Sequence, residues 1–433
     1  MAIRTKTSNQ RTSLKLHLGA QGTLVGELNF IQQGRREFSQ FHYAPSWLAD
    51  TNRFEISPDL PLVDGFHNRK APSDHDSVFH WAIADTAPDA WACRVIDRAR
   101  AKDRRTNPQL GPLTALDYLC AVDDFSRIGA LRLHKGGNYV QTAEEGRRRT
   151  PSFVELAPMY AATRAVETDM ETSEDLAYLM GRGTSLGGMR PKCTVLDESG
   201  RLAIGKFPSV KDTINVTRAE VLALHLAKRA GIRAANAHCV SLTGVPVAII
   251  ERFDRDAADR RIPYLSAASL LQAAREDERS YTELADAIRE RGSSPVADSQ
   301  ELWRRLVFNL LITNTDDHLH NTGFLYDGAG KWRLAPAFDV NPMTGKLRES
   351  KTPLSEDTGP IDSIDVLLDG CRYFDLSRAE GLRVIAEVLD AISHWREVGQ
   401  RPEVGLTPAE LAAFQDAFEH DQTQVARGLV QAL

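Results

Sequence analysis

Leu302, Trp303, Leu306, Val307, Leu310 and Leu311 recur at intervals of three and four, the spacing of one buried helix face. Stripes of the same period run through residues 284–291, 301–313, 380–396 and 409–429, so the chain from about residue 257 onward is predicted to be mostly helical. The start alternates instead. Leu14, Leu16 and Leu18 are separated by Lys15 and His17, and residues 19–22 turn the chain into an apolar run over 23–30, which predicts a β-hairpin. Two more hairpins are predicted, one pairing residues 193–196 with 201–207 and one pairing 323–326 with 332–334 across the Asp327-Gly-Ala-Gly330 turn. Val245 to Ile250 reads as a buried strand. Thr217 and Glu220 have the spacing of a capping box opening a helix over 221–230, with Gly231 just past its end. Glu220 has a second reading, as partner of a lysine on the preceding strand. Residues 350–363, rich in Pro, Asp and Thr, read as a mobile surface loop.

This pattern gives an α+β protein in three parts: a small N-terminal module over 1–150, a β-rich segment over 151–256 and a helical part over 257–433. With 42% hydrophobic and 26% charged residues, the chain has the composition of a globular protein with a sizeable core. Cys93, Cys120, Cys193, Cys239 and Cys371 are scattered and odd in number, which argues against a disulfide framework or a zinc site and for a reducing cytoplasm. No apolar run reaches the roughly 20 residues of a membrane span, and the polar start lacks the apolar core of a signal peptide, so no membrane association is expected. The net charge is −6, and the basic clusters at 98–105 and 147–149 read as solvated faces in preference to a nucleic-acid surface.

Candidate chemistry begins where the helix over 301–313 ends. Asp316 and Asn321 stand five apart, the spacing by which a phosphoryl-transfer loop places a base on the acceptor hydroxyl and an amide oxygen on Mg²⁺, and Asp339 follows as a possible second metal ligand. A run of Asp and Asn can also be a solvated turn. Asp316 and Asp317 face the negative end of a helix dipole, however, where acids are stabilised by a cation. A rival reading groups Asp316, Asp317, His318, His320 and Asp339 as a metallohydrolase cluster. Upstream, residues 181–192 hold four glycines with Arg182, Arg190 and Lys192; this is either a flexible turn or a cradle whose backbone N–H groups face an anion. The stretch fits neither strict phosphate-loop pattern. Lys206 shares an apolar strand face with Leu202 and Ile204, so it either snorkels to water or serves as the phosphate-binding lysine of a kinase, whose V-A-I-K strand Ala203-Ile-Gly-Lys206 approximates.

Four motifs occur together and in order: Thr184-Ser-Leu-Gly-Gly188 with Pro191-Lys192, Ile204-Gly-Lys-Phe-Pro208, Glu251-Arg-Phe-Asp-Arg255, and Thr315-Asp-x-His-x-x-Asn321 with Phe338-Asp339. This combination resembles the HipA family, serine/threonine kinases that act as toxins of bacterial toxin–antitoxin pairs. The resemblance extends to the N-terminal module through Phe38, Phe41, Tyr43, Trp47, residues 85–91 and residues 129–133. It implies a two-lobed, protein-kinase-related fold with a small N-terminal α/β module, a β-rich nucleotide-binding segment and an all-helical C-terminal lobe. It also implies transfer of the ATP γ-phosphoryl group to a protein hydroxyl. Asp316 would be the base, and Asn321 and Asp339 the Mg²⁺ ligands. Gly187, Gly188, Lys192 and Lys206 would steady the phosphates, Glu251 and Phe253 would contact the nucleotide, and His318 would position the loop at the ATP site. Ser185, with Thr184 beside it, matches the family's autophosphorylation position. The implied target is a translation component such as an aminoacyl-tRNA synthetase, and the implied partner is an antitoxin whose helix-turn-helix binds DNA. A small-molecule kinase would present the same nucleotide site. Asp317, His320 and Arg190-Pro191 depart from the family pattern.

Overall fold

The alternating start forms strands β1 (Asn9–Leu18) and β2 (Thr23–Gln33), antiparallel with Leu14 opposite Leu28. In the computed structural model, which describes residues 9–142, 156–180, 188–345 and 348–431, these two strands are the centre of a six-stranded antiparallel sheet. It is completed by β3 (Arg36–Tyr43), β4 (His67–Arg69), β5 (Leu131–Lys135) and β6 (Asn138–Tyr139), in the order β4-β3-β2-β1-β5-β6. Its inward side chains, among them Leu14, Leu16, Leu28 and Phe41, are fully buried.

A second antiparallel sheet holds β7 (Lys192–Leu196), β8 (Leu202–Lys206), β9 (Ala237–Leu242) and β10 (Val245–Glu251), in the order β7-β8-β10-β9. Alternation along β10 divides its side chains between two cores. Ala248 and Ile250 pack with the helix Val216–Arg229, whereas Val247 and Ile249 join an apolar cluster with Leu156, Met159 and Val166 of the helix Leu156–Glu167. The helix Val216–Arg229 starts earlier than the spacing predicts. Its cap is Asn215, whose Oδ1 accepts from Arg218 N at 3.1 Å, and Thr217 is buried inside the first turn. The capping-box reading of Thr217 and Glu220 is therefore corrected, and Glu220 is released for its other role.

The helix Pro295–Leu311 buries every residue of the stripe that announced it, and the Trp303 indole N–H donates to Leu367 O at 3.0 Å. Behind it lie β11 (Tyr264–Ser266), β12 (Gly323–Gly328) and β13 (Lys331–Leu334), paired in that order as a small sheet within the mainly helical C-terminal part. The periodic stretch over 380–396 is two helices, Arg378–Ser393 and Trp395–Gln400, and that over 409–429 is three: Pro408–Ala413, Gln415–Phe418 and Asp421–Gln431. Long-range packing sets these breaks: Trp395 stacks on Phe418 with ring centroids 4.6 Å apart, and the buried Phe414 lies at the joint between helices. Residues 350–363 are not an unstructured loop. They carry the short hairpin β14 (Pro353–Ser355) and β15 (Gly359–Pro360), and Leu354 and Ile361 are core residues. Among the described residues no helix is long and apolar enough to cross a membrane, and none of the five cysteines is in a disulfide.

Candidate active site

Pairing of β7 with β8 sets Lys192 directly opposite Lys206, and both side chains are largely buried. Two ammonium groups so placed repel each other, and burial removes the water that would screen them, so the fold must bring acids to them. Three arrive. Glu220, on the buried face of Val216–Arg229, accepts from Lys206 Nζ at 2.6 Å. Asp339 Oδ1 accepts from the same nitrogen at 2.8 Å, and Asp89 Oδ2 lies 3.8 Å from Lys192 Nζ. Burial alone would strip the charge from Lys206, but Asp339 and Glu220 outweigh it and raise its pKa above the ordinary lysine value. Burial likewise opposes ionisation of Asp339, and Lys206 and Lys192 reverse this and hold the carboxyl well below the usual range. For Lys192 burial prevails and lowers its pKa.

Asp339 adopts a left-handed backbone with φ 53°, a conformation that costs a non-glycine residue free energy and persists only where the surroundings enforce it. Its neighbours do so. Ala337 N donates to Arg233 O at 2.7 Å, and Asn341 donates its amide to Asp339 Oδ1 at 3.2 Å. Gly188 closes the other side with φ 97°; a Cβ there would strike the Lys192 ammonium and come 3.9 Å from Asp339 Oδ2. Glycine is thus required at 188, where the backbone passes over both groups. The cleft they form has Ile204 and Ile250 as apolar wall, with Phe253 and Phe338 packed at 5.4 Å between ring centroids. Glu251 also lines it, but its carboxylate is held by Arg201 at 3.0 Å and Asn236 at 2.9 Å.

The polar loop after Pro295–Leu311 is turned by Thr313 at φ 56°. Asn314 Oδ1 accepts from Asn341 N at 3.2 Å, tying this loop to the segment of Asp339, and Asn321 donates to Asp316 O at 2.8 Å. Asn321 and Asp339 line one cleft. Asp316 and Asp317 point apart. The Asp316 side chain is 39% exposed, whereas Asp317 is buried, accepting from Tyr281 O–H at 2.7 Å and from Lys351 N at 2.7 Å. Burial pushes the Asp317 carboxyl up to about 6. His318 Nε2 is 3.9 Å from Asp316 Oδ1, and burial lowers the pKa of its ring. The metallohydrolase reading fails on this geometry: Asp317 serves the interior, His320 is exposed, and among the described residues no three His, Cys, Asp or Glu side chains could share a metal. Gly187, Ser185 and Thr184 lie outside the described residues.

Asp316, His318, Asn321, Asp339, Lys192, Lys206, Gly188 and Phe253 are thus gathered from five separate stretches. Sequence reasoning missed Asn341, Tyr281 and Lys351. The first two act through backbone or buried contacts with no local signal, and Lys351 sits at the start of the stretch read as a loop.

A model of the HipA-like C-terminal domain matches residues 184–409, and one of the HipA N-terminal domain matches residues 16–134. The chain belongs to the HipA family. Every described site residue from Gly188 to Asp339 falls inside the first match. Relatives of the chain include "Putative kinase Y4mE" of Sinorhizobium fredii, 24% identical over 75% of this chain and 76% of that one. A protein of Haemophilus influenzae named "Putative kinase" is 30% identical over 21% of this chain and 29% of its own. The fold is similar to that of the Shewanella oneidensis MR-1 toxin–antitoxin system HipA, HipB and operator DNA complex, at 16% identity and TM-score 0.69, covering 97% of this chain and 98% of that one. The family and its relatives are kinase-related, in agreement with the lysine–acid cleft.

Proposed function

We propose that the chain is an ATP-dependent protein serine/threonine kinase and the toxin of a bacterial toxin–antitoxin pair, working in the cytoplasm. The observation that carries this reading is Lys206 held between Glu220 and Asp339, the lysine–glutamate pair and metal-binding aspartate that a kinase needs in place together. Residues 151–256 would form the nucleotide lobe, 257–433 the catalytic lobe and 1–150 an appended module.

The residues present suit the groups they would hold. Asn321 and Asp339 line one cleft, and both carry side-chain oxygen, the ligand type a hard cation requires, so they would be the Mg²⁺ ligands. When bound, Mg²⁺ would neutralise charge developing on the phosphoryl oxygens. Lys206, Lys192 and the backbone at Gly188 would hold the ATP phosphates, with Gly187 beside them, while Phe253 and the segment of Glu251 would contact the base. Asp316 would orient an acceptor Ser or Thr hydroxyl. The acceptor oxygen bonds to the γ-phosphorus as the bond to the ADP oxygen breaks with its electron pair, and the hydroxyl proton passes to Asp316. The target would be a translation component such as an aminoacyl-tRNA synthetase. Because the related solved complex contains HipB and operator DNA, a DNA-binding antitoxin would restrain this chain and carry it to DNA.

The test is incubation of the full chain with labelled ATP, Mg²⁺ and bacterial lysate, beside Asp316→Asn. Label on protein serine or threonine only with the wild type is expected, and equal labelling by both overturns the reading. In the same samples, phosphate at Ser185 or Thr184 of the active chain alone is expected by mass spectrometry, since about −1.5 to −2 added charges there would repel ATP. Its absence after prolonged incubation with ATP removes that part of the proposal.

Asp339→Ala gives an independent check. Calorimetric titration should find wild-type ATP affinity strengthened by Mg²⁺ and that of the variant indifferent to it. An unchanged Mg²⁺ response would take Asp339 out of the metal site.

A further inference from the structure

Lys351 belongs to none of the motifs discussed above, yet its side chain reaches the candidate base. Lys351 Nζ donates to Asp316 Oδ1 at 2.5 Å, although the lysine side chain is 57% exposed. Pairs this exposed contribute little stability and are usually loosely held. This one is held by its backbone. Lys351 N donates to the buried Asp317 carboxylate at 2.7 Å, and Thr352 Oγ1 donates to Asp317 O at 3.1 Å. Asp317 is anchored in turn by Tyr281 O–H, and the chain on either side by Ser350 N donating to Ile361 O at 3.0 Å and by the buried Leu354. Of two successive acids, the buried one therefore fixes a strap whose lysine is presented to the exposed one. Among the described residues Asp316 Oδ2 has no hydrogen-bond partner, so the carboxylate is pinned by one oxygen and open at the other.

We propose that Lys351 is a positioning residue for phosphoryl transfer: it fixes the Asp316 carboxylate through Oδ1 so that Oδ2 faces the acceptor hydroxyl. The inference rests on the kinase reading and deepens it. Side-chain rotation of an exposed aspartate is otherwise inexpensive, and displacement of a catalytic group by about 1 Å can cost 10²-fold in rate. Among the described residues, the hydrogen bonds and ion pair of Lys351 go to Asp316 and Asp317 and not to Lys192, Lys206 or Asp339, so its removal should act on turnover and not on nucleotide binding.

The experiment compares wild type, Lys351→Met, Lys351→Arg and Asp316→Asn as full chains, with labelled ATP varied against a fixed amount of lysate protein. Lys351→Met is expected to lower apparent turnover about 10- to 100-fold, with the apparent KM for ATP and the ATP-induced rise in Tm within about two-fold of wild type. Lys351→Arg should recover most of the turnover, because a guanidinium can hold the same oxygen. Turnover of Lys351→Met equal to wild type, a loss confined to KM, or failure of arginine to rescue each overturn the assignment. If the wild type itself transfers no label, the kinase reading falls and takes this one with it; if it transfers and Lys351→Met matches it, only this one falls.

Discussion

Asp316→Asn should reduce phosphoryl transfer about 10²–10⁴-fold, the usual contribution of a positioned general base, while the protein stays folded and binds ATP as before. Asparagine has almost the same shape but accepts no proton from the acceptor hydroxyl. The fold should tolerate the change because the Asp316 side chain is 39% exposed and it is the backbone carbonyl that receives Asn321. ATP affinity should hold because Lys206, Glu220 and Asp339 form their pairs without it. Single-turnover transfer of label, read beside the ATP-induced thermal shift, separates the two effects. A fall in transfer matched by a lost thermal shift would mean that Asp316 supports the nucleotide site and not the chemistry.

The largest stability effect is expected at Asp254→Ala, at roughly 3–5 kcal/mol, the range for breaking a buried ion pair from one side. Asp254 accepts from Arg252 at 2.8 and 2.5 Å, from Arg255 at 2.7 Å and from Gly129 N at 2.7 Å. Arg252 and Arg255 are only 1% and 7% exposed, so alanine leaves two guanidinium groups buried without their carboxylate. Burial opposes the charge of Asp254, but the two arginines overcome it and hold the carboxyl well below its ordinary value. A depressed folded pKa means that this stabilisation is complete above about pH 4, where the unfolded aspartate ionises, and fades as pH falls below it. Urea unfolding should therefore show wild type and Asp254→Ala far apart at pH 7 and closer at pH 3. A gap that stays constant with pH would assign the loss to packing. Because Gly129 belongs to the connection into the six-stranded sheet, the same substitution should also loosen that sheet from the segment carrying Phe253.

The sequence was most informative where a single element holds its own signal. The stripe from Leu302 to Leu311, the alternation of Leu14, Leu16 and Leu18, and the hairpins around Asp197 and Asp327 depend on periodicity and turn chemistry, and each formed where its pattern lay. Asp316, Asn321 and Asp339 could be selected because spacing within a loop reports on chemistry before any tertiary contact is known. Glu220 shows where that reasoning stops. The same residue fitted a local cap and a distant lysine equally well, and only the packing of Val216–Arg229 against the sheet chose the lysine.

Residues 350–363 make the complementary case. Polar and proline-rich, they resemble a free loop, yet Asp317 gains hydrogen bonds from Lys351 and Thr352 only because Tyr281 and the interior force that carboxylate inward. The breaks at His394 and Phe414 have the same origin, since an unbroken stripe specifies which side is apolar but not where the core requires the chain to bend. By itself, then, the sequence determined the α+β class and the main helices and hairpins, and it marked most residues of the candidate site, because periodicity, turn residues and motif spacing are local. The tertiary structure alone decided which charge meets which: Lys192 beside Lys206, Lys206 between Glu220 and Asp339, and Lys351 on Asp316. Those pairings depend on burial and on contacts 14, 133 and 35 residues apart, which no local pattern encodes.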